Sequence, residues 1–184
     1  MAPASTESPP VLILTGPPGV GKTSAARLLS YRFGPGVHLE SDLFFGFVSS
    51  EFVEPWRPES QRQNEVVMRT VGKAAASYAR GGYFTVIDGI VIAHRFLPTV
   101  RDAIVSDGHQ VAYAVLSAPL PVCVERVAGR EGPELSDPAV VEQLWDEFAD
   151  LGEYGSHAVP VGTLSSDEVA DLVARRLETG ELTL

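Results

Sequence analysis

Val11-Leu12-Ile13-Leu14-Thr15-Gly16-Pro17-Pro18-Gly19-Val20-Gly21-Lys22-Thr23 joins an unbroken apolar run to a glycine-rich turn closed by a lysine and a hydroxyl. The run Val11 to Thr15 is short and ends at Gly16, so it reads as a buried strand. Gly16 to Thr23 matches G-x-x-x-x-G-K-[ST] at every fixed place. Thr23 to Phe33 then reads as an amphipathic helix, closed by Gly34-Pro35-Gly36. Strand, glycine loop and helix in that order make an anion cradle. Glycines let successive N–H groups face one point, and the helix start adds its own free N–H groups and dipole. Lys22 is expected to reach β- and γ-phosphates, and the Thr23 hydroxyl to meet Mg²⁺. The expected nucleotide contacts are Gly16, Pro17, Pro18, Gly19, Val20, Gly21, Lys22, Thr23 and Ser24. A glycine-proline turn with a surface lysine is the plain alternative, and the strand before and helix after argue against it.

Beyond this segment, strand and helix patterns alternate, as in an α/β domain with a mainly parallel sheet. Further strands are expected over Val37 to Glu40, Tyr83 to Ile87, His109 to Leu116 and His157 to Val161. Helices are expected over Pro58 to Arg80, Phe96 to Ser106, Pro121 to Arg130, Pro138 to about Leu151, and from the Ser165/Glu168 capping box to about Leu177. Leu43 to Trp56 is aromatic-rich without a clean period and reads as a short helix plus loop. Glu131 to Ser136 reads as a polar loop able to serve as a lid. Residues 1–9 are expected to be a flexible tail, and residues 10–184 one kinase-sized domain.

Composition narrows the partners. The 184 residues carry a net charge of -10, and the basic side chains form no cluster beyond Arg175-Arg176, which argues against nucleic acid and anionic membrane. No apolar run approaches the roughly 18 residues of a membrane span. Met1 to Pro10 lacks the basic and apolar parts of a secretory signal. The single cysteine, Cys123, excludes a disulfide within the chain and reads as inert core. A cytoplasmic protein is expected. Lysines occur only at 22 and 73, which singles out Lys22.

Other residues point to the kind of chemistry. No Asn-Lys-x-Asp guanine reader follows the fourth strand. Asp88 is followed by Gly89, not by a water-polarising glutamate, and the chain is short for the helical lid of large ATPase machines. A kinase fits better. Glu40-Ser41-Asp42 follows the second strand, where strand ends face the ligand crevice. Asp42 is the candidate base for an attacking hydroxyl, with Glu40 in reserve or on a Mg²⁺ water; a helix cap is the alternative for Asp42. Asp88 ends the third strand and is expected to hold Mg²⁺ through water or fix the acceptor hydroxyl, a turn Asp-Gly being the alternative. Thr23, Asp42 and Asp88 are thus the candidate metal contacts. Arg126 and Arg130 share a helix face, and at least one is expected to neutralise phosphate charge. Phe45, Trp56 and Arg57 are candidates for an apolar acceptor pocket with one cation, and Arg95 for a further acceptor contact.

These residues resemble the small P-loop kinases, a group that includes chloramphenicol 3-O-phosphotransferase, zeta-toxin kinases and the kinase domain of polynucleotide kinase. GPPGVGKT, Glu40-Ser41-Asp42, GGYFTVIDG and VLSAPLPVCVERVAGR occur in the same order as in that group, over roughly residues 10 to 178. The resemblance implies a P-loop NTPase fold with a five-stranded parallel sheet in order 2-3-1-4-5, flanked by helices and with a small lid. It implies ATP and Mg²⁺, and phosphorylation of a hydroxyl. It matches Asp42 to the base, Arg126 or Arg130 to the lid arginine, and Pro160 to Ser165 to the adenine contact. Polynucleotide kinases carry an arginine shortly after the base; here Leu43-Phe44-Phe45 stands there, so a compact small-molecule acceptor such as an antibiotic is expected. A toxin-type nucleotide-sugar kinase, another metabolic kinase, or an ATP-binding switch are the alternatives. Monomer and homodimer both stay open.

Overall fold

The computed structural model describes residues 9–129 and 137–184. Five strands, β1 (Val11–Thr15), β2 (Gly36–Glu40), β3 (Phe84–Asp88), β4 (Val111–Ser117) and β5 (Ala158–Pro160), form one parallel sheet in the order β2-β3-β1-β4-β5. This is the order the resemblance implied. The helices are α1 (Lys22–Leu29), α2 (Ser41–Phe45), α3 (Gln61–Arg80), α4 (Leu97–Val105), α5 (Leu120–Ala128), α6 (Pro138–Asp146) and α7 (Ser166–Glu178).

β1 lies in the middle and is buried throughout. Its alternating side chains split the core in two. Leu12 and Leu14 pack with apolar faces of α1, α5 and α7, whereas Val11 and Ile13 pack with those of α3 and α4. A strand covered on both faces must be apolar at every position, and VLIL is.

Several boundaries differ from expectation for local reasons. Pro58–Ser60 forms a separate 3-10 turn before α3, and Arg57 O accepts from both Ser60 N and Ser60 Oγ there. α1 stops at Leu29, after which Tyr31 and Arg32 make only i→i−3 bonds. α6 ends at Asp146 rather than near Leu151. Phe148 and Ala149 tighten to i→i−3 bonds, and Asp150 Oδ1 then takes the Gly152 N–H at 2.9 Å. A 3-10 helix, Gly152–His157, then leads into the short β5. Trp145 and Phe148 are both core: Trp145 Nε1 donates to Ala118 O at 2.9 Å, and Phe148 is buried on the α3/α4 side.

β5 pairs only with the last three residues of β4. The chain end uses the rest of that edge: Tyr113 N donates to Leu182 O at 2.8 Å and Leu184 N to Val111 O at 3.0 Å, with Leu182 fully buried. Among the described residues, no helix is long and apolar enough to cross a membrane.

The Ser165 cap of α7 is a complete capping box. Ser165 N donates to Glu168 Oε2 at 2.8 Å and Glu168 N to Ser165 Oγ at 3.3 Å. The Ser165 N–H and hydroxyl hold the Glu168 carboxyl below its ordinary range. A carboxyl lowered in the native state stabilises above its unfolded pKa and loses that contribution as pH falls through the native value. Glu168→Ala should therefore lower the melting temperature at neutral pH. The difference from wild type should shrink progressively as pH falls below the ordinary Glu range, as read by parallel thermal melts.

Candidate active site

The loop from Gly16 to Gly21 runs from the C-terminal end of β1 to the start of α1, and packing dictates its glycines. A Cβ on Gly16 would lie 2.3 Å from Leu116 O of β4, and one on Gly19 would lie 2.3 Å from Cys123 O of α5. Gly19 also has φ of +79°, a left-handed backbone that side chains disfavour. The loop is thus pressed against β4 and α5. Gly21 caps α1 with no side-chain bond, and the first turn carries no acid, an arrangement that suits an anion at the helix start. Lys22 Nζ folds back over the loop and donates to Gly16 O and Pro17 O, 3.0 Å each. Its charge is held at the loop it is expected to serve. Thr23 is half-buried and Ser24 exposed, on the first turn of α1.

Register decides what faces this loop. Leu14 pairs with Asp88, and Asp88 with Glu40, so the ends of β1, β3 and β2 form one row. At about 4.8 Å per strand, the Glu40 backbone lies roughly 10 Å from that of Leu14. Ser41 and Asp42 open α2 directly beyond this row. Asp42 is exposed and inside the first turn, with Glu40 at the cap position, so the cap alternative for Asp42 does not hold. Asp88 is buried; its Oδ2 lies 3.2 Å from His38 Nε2, and its Oδ1 has no hydrogen-bond partner among the described residues. Thr15 Oγ1 accepts the Val91 N–H at 2.8 Å and Tyr113 donates to Val91 O at 2.8 Å, which pins the segment after Asp88 to β1 and β4. Burial pushes the Tyr113 phenol far above its ordinary range, so it remains a donor.

Arg126 reaches from α5 across the loop, with Nη1 3.4 Å from Val20 O and Nη2 3.3 Å from Gly162 O. It ties the phosphate loop to the turn after β5, part of the stretch Pro160 to Ser165. Arg130 and the loop Glu131 to Ser136 lie outside the described residues. Cys123 sits beneath the loop, fully buried; burial raises its thiol pKa against the opposing charges of Lys22 and Arg126.

The acceptor-side candidates separate. Phe45 is a correction: at 7% exposed it belongs to the α3/α4 half of the core, because its position on α2 turns it inward. Leu43, Phe47 and Phe52 are the exposed apolar side chains of that stretch. Trp56 is half-buried, and Arg57 is exposed and paired with Glu54 at 3.0 Å. Gln63 clasps both backbone groups of Val53, and Asn64 Nδ2 binds Pro55 O, so α3 holds this loop in place. Arg95 is bound to Glu147 at 3.4 Å and stacked 4.9 Å over the Phe96 ring, which orients it toward α6 and its own helix start. The residue the sequence reading missed is His38. Its signal was present: His38 and Glu40 alternate onto one face of β2.

No group of three or more His, Cys, Asp or Glu side chains suited to a metal occurs among the described residues. A hydroxyl at Thr23 and a buried carboxylate oxygen on Asp88 without a partner among the described residues suit an ion that brings its own phosphate and water ligands. Mg²⁺ is such an ion, and the donors present fit it.

A family model described as AAA domain matches residues 11–152. The chain belongs to the AAA domain family. Membership implies nucleotide binding, in agreement with the loop geometry. Solved structures share the fold. The tunicamycin resistance protein of Deinococcus radiodurans is 22% identical, with a TM-score of 0.67 over 91% of this chain and 95% of that one. The APS kinase of Mycobacterium tuberculosis, solved with AMPPNP and APS, is 17% identical, with a TM-score of 0.69 over 94% of this chain and 99% of that one. A gluconokinase from Sinorhizobium meliloti 1021 is 16% identical, with a TM-score of 0.66 over 94% of each chain. At such identities they show a shared fold alone. One curated relative, a peroxisomal Lon protease homolog 2 from Pichia angusta, is 62% identical over 32 residues, which span 17% of this chain and 3% of that protein.

Replacing Lys22 by Ala removes one charged phosphate contact and should weaken Mg-ATP binding by about 10–100-fold in calorimetry, with little change in melting temperature. Gly19→Ala should abolish that binding and lower the melting temperature, because its new methyl group meets the Cys123 carbonyl.

Proposed function

We propose that this AAA-domain chain is an ATP- and Mg²⁺-dependent kinase that phosphorylates a hydroxyl of a small molecule. The observation that carries the reading is an exposed carboxylate, Asp42, opening α2 on the same sheet edge as a complete phosphate loop. Solved structures of the same fold support it, since they include an APS kinase and a gluconokinase. Residues 10–184 act as one kinase domain in this reading, with residues 1–9 as a tail.

The loop N–H groups from Gly16 to Thr23 and the start of α1 bind the β- and γ-phosphates, with Ser24 on the same turn. Lys22 exchanges its carbonyl partners for phosphate oxygens. Arg126 lies between the loop and the turn at Gly162, so it can place charge on the phosphates from α5, and Arg130 is the second candidate for that role. Thr23 and Asp88 would hold Mg²⁺, with Asp42 or Glu40 close by; when bound, the ion would supply positive charge to offset that of the phosphate oxygens. Asp42 accepts the proton of the acceptor hydroxyl as its oxygen forms a bond to the γ-phosphorus. The bond to the β–γ bridging oxygen breaks, and ADP leaves. Leu43, Phe47 and Trp56 offer apolar surface to the acceptor, with Arg57 as a nearby cation.

The net charge of -10 and the apolar Leu43-Phe44-Phe45 favour a compact uncharged acceptor over nucleic acid or a membrane. An antibiotic is one such acceptor, and the resistance protein of like fold gives that choice its support. A sugar is the second, favoured by the gluconokinase of like fold. Such a kinase works in the cytoplasm, where ATP is made available.

The test is a transfer screen with γ-labelled ATP against hydroxylated antibiotics, sugars and nucleotide sugars, with mass detection of products. A phosphorylated product is expected from wild type. Asp42→Asn should cut its rate by about 10²–10⁴-fold while ATP affinity holds. Transfer at the wild-type rate by Asp42→Asn would remove the base, and ATP binding with no product from any acceptor class would favour a nucleotide switch.

A further inference from the structure

Asp88 has an asymmetric environment. Its Oδ2 lies 3.2 Å from His38 Nε2, whereas Oδ1 is buried without a partner among the described residues. A carboxylate only accepts, so the Nε2 proton is assigned to this bond. The other ring nitrogen stands 3.9 Å from Glu40 Oε1, too far for a hydrogen bond. His38 is thus committed to Asp88. Register explains the reach: Glu40 pairs with Asp88, and His38, two residues earlier on the same face, crosses diagonally to it.

A buried carboxylate oxygen left without a donor is costly, so its placement needs a cause. The end torsion of an aspartate is broad and two-fold, and without a fixed partner either oxygen can take either place. The histidine removes that freedom. Beside it, Ser41 Oγ is also buried without a partner among the described residues and rests against Gly89, where a Cβ would come within 1.8 Å of it. Two polar atoms that lack partners thus flank one glycine at the ends of β2 and β3.

We propose that His38 is a positioning residue: by holding Asp88 Oδ2 it keeps Oδ1 turned toward a water carried by the nucleotide's Mg²⁺. This rests on the kinase reading above, in which Asp88 serves the metal. His38 touches neither nucleotide nor acceptor in this role.

The test measures ADP binding to the full chain by calorimetry across a Mg²⁺ series and in EDTA. His38→Leu should raise the Mg²⁺ concentration for half-maximal tightening by about 10–100-fold, as losses of outer-shell partners do. Its ADP affinity in EDTA should match wild type. His38→Gln places an amide nitrogen where Nε2 stands and should restore the wild-type Mg²⁺ dependence. His38→Asn places its nitrogen at the other ring position and should not. If His38→Leu fails to fold, the Gln and Asn pair decides. Wild-type Mg²⁺ dependence in His38→Leu or His38→Asn, alongside a shifted Asp88→Asn, would overturn the positioning role and leave the kinase reading intact. ADP binding by wild type that ignores both Mg²⁺ and Lys22→Ala would overturn the two together.

Discussion

Contact between the phosphate loop and the carbonyls beneath it governs this site. Gly16 and Gly19 leave no space for a side chain over Leu116 O and Cys123 O. The loop can therefore lie flat on β4 and α5, and α1 starts with neither a side-chain cap bond nor an acid in its first turn. Helix N-termini bind anions only when no side chain or neighbouring acid has claimed those groups. Here Gly21 supplies no cap and Lys22 supplies a cation. Cys123 belongs to the same arrangement: its backbone is the floor, and its buried thiol fills space below the loop.

The sheet order carries this local arrangement outward. With β3 between β1 and β2, the row Leu14–Asp88–Glu40 brings two carboxylates to the edge where the loop begins. Buried hydroxyls fasten the segment that follows. Thr15 and Tyr113 take both backbone groups of Val91, and Glu147 on the far side meets His94 and Arg95. This side of the edge is therefore held by side-chain bonds to neighbouring elements, and in the proposed kinase reading such rigidity is what places a reacting hydroxyl. Arg126 adds a tie from the loop to the turn after β5.

Membership of the AAA domain family and the likeness to several small kinases agree with this geometry, but one fold hosts many reactions. The chemistry has to be read from the side chains on the edge. In the proposed reading Asp42 is the base and Thr23 and Asp88 are oxygen donors to a hard cation, while the exposed Leu43, Phe47 and Phe52 offer apolar surface. That combination favours a compact hydroxyl acceptor.

Local chemistry in the chain was enough for the phosphate loop, the alternation of strands and helices, the Ser165 capping box and the core character of Cys123. Each depends on residues adjacent in sequence, whose spacing already states the geometry. The sheet order came from resemblance, and register then confirmed it. Tertiary structure alone decided the rest. Phe45 turned from candidate pocket to core, because an aromatic run without a period does not say which ring faces inward. α6 ends early, where Phe148 and Ala149 tighten to i→i−3 bonds. The pairing of Leu182 and Leu184 with β4, and of His38 with Asp88, joins residues 50 or more positions apart. Distance between such groups is set by strand order and register, which no local pattern encodes.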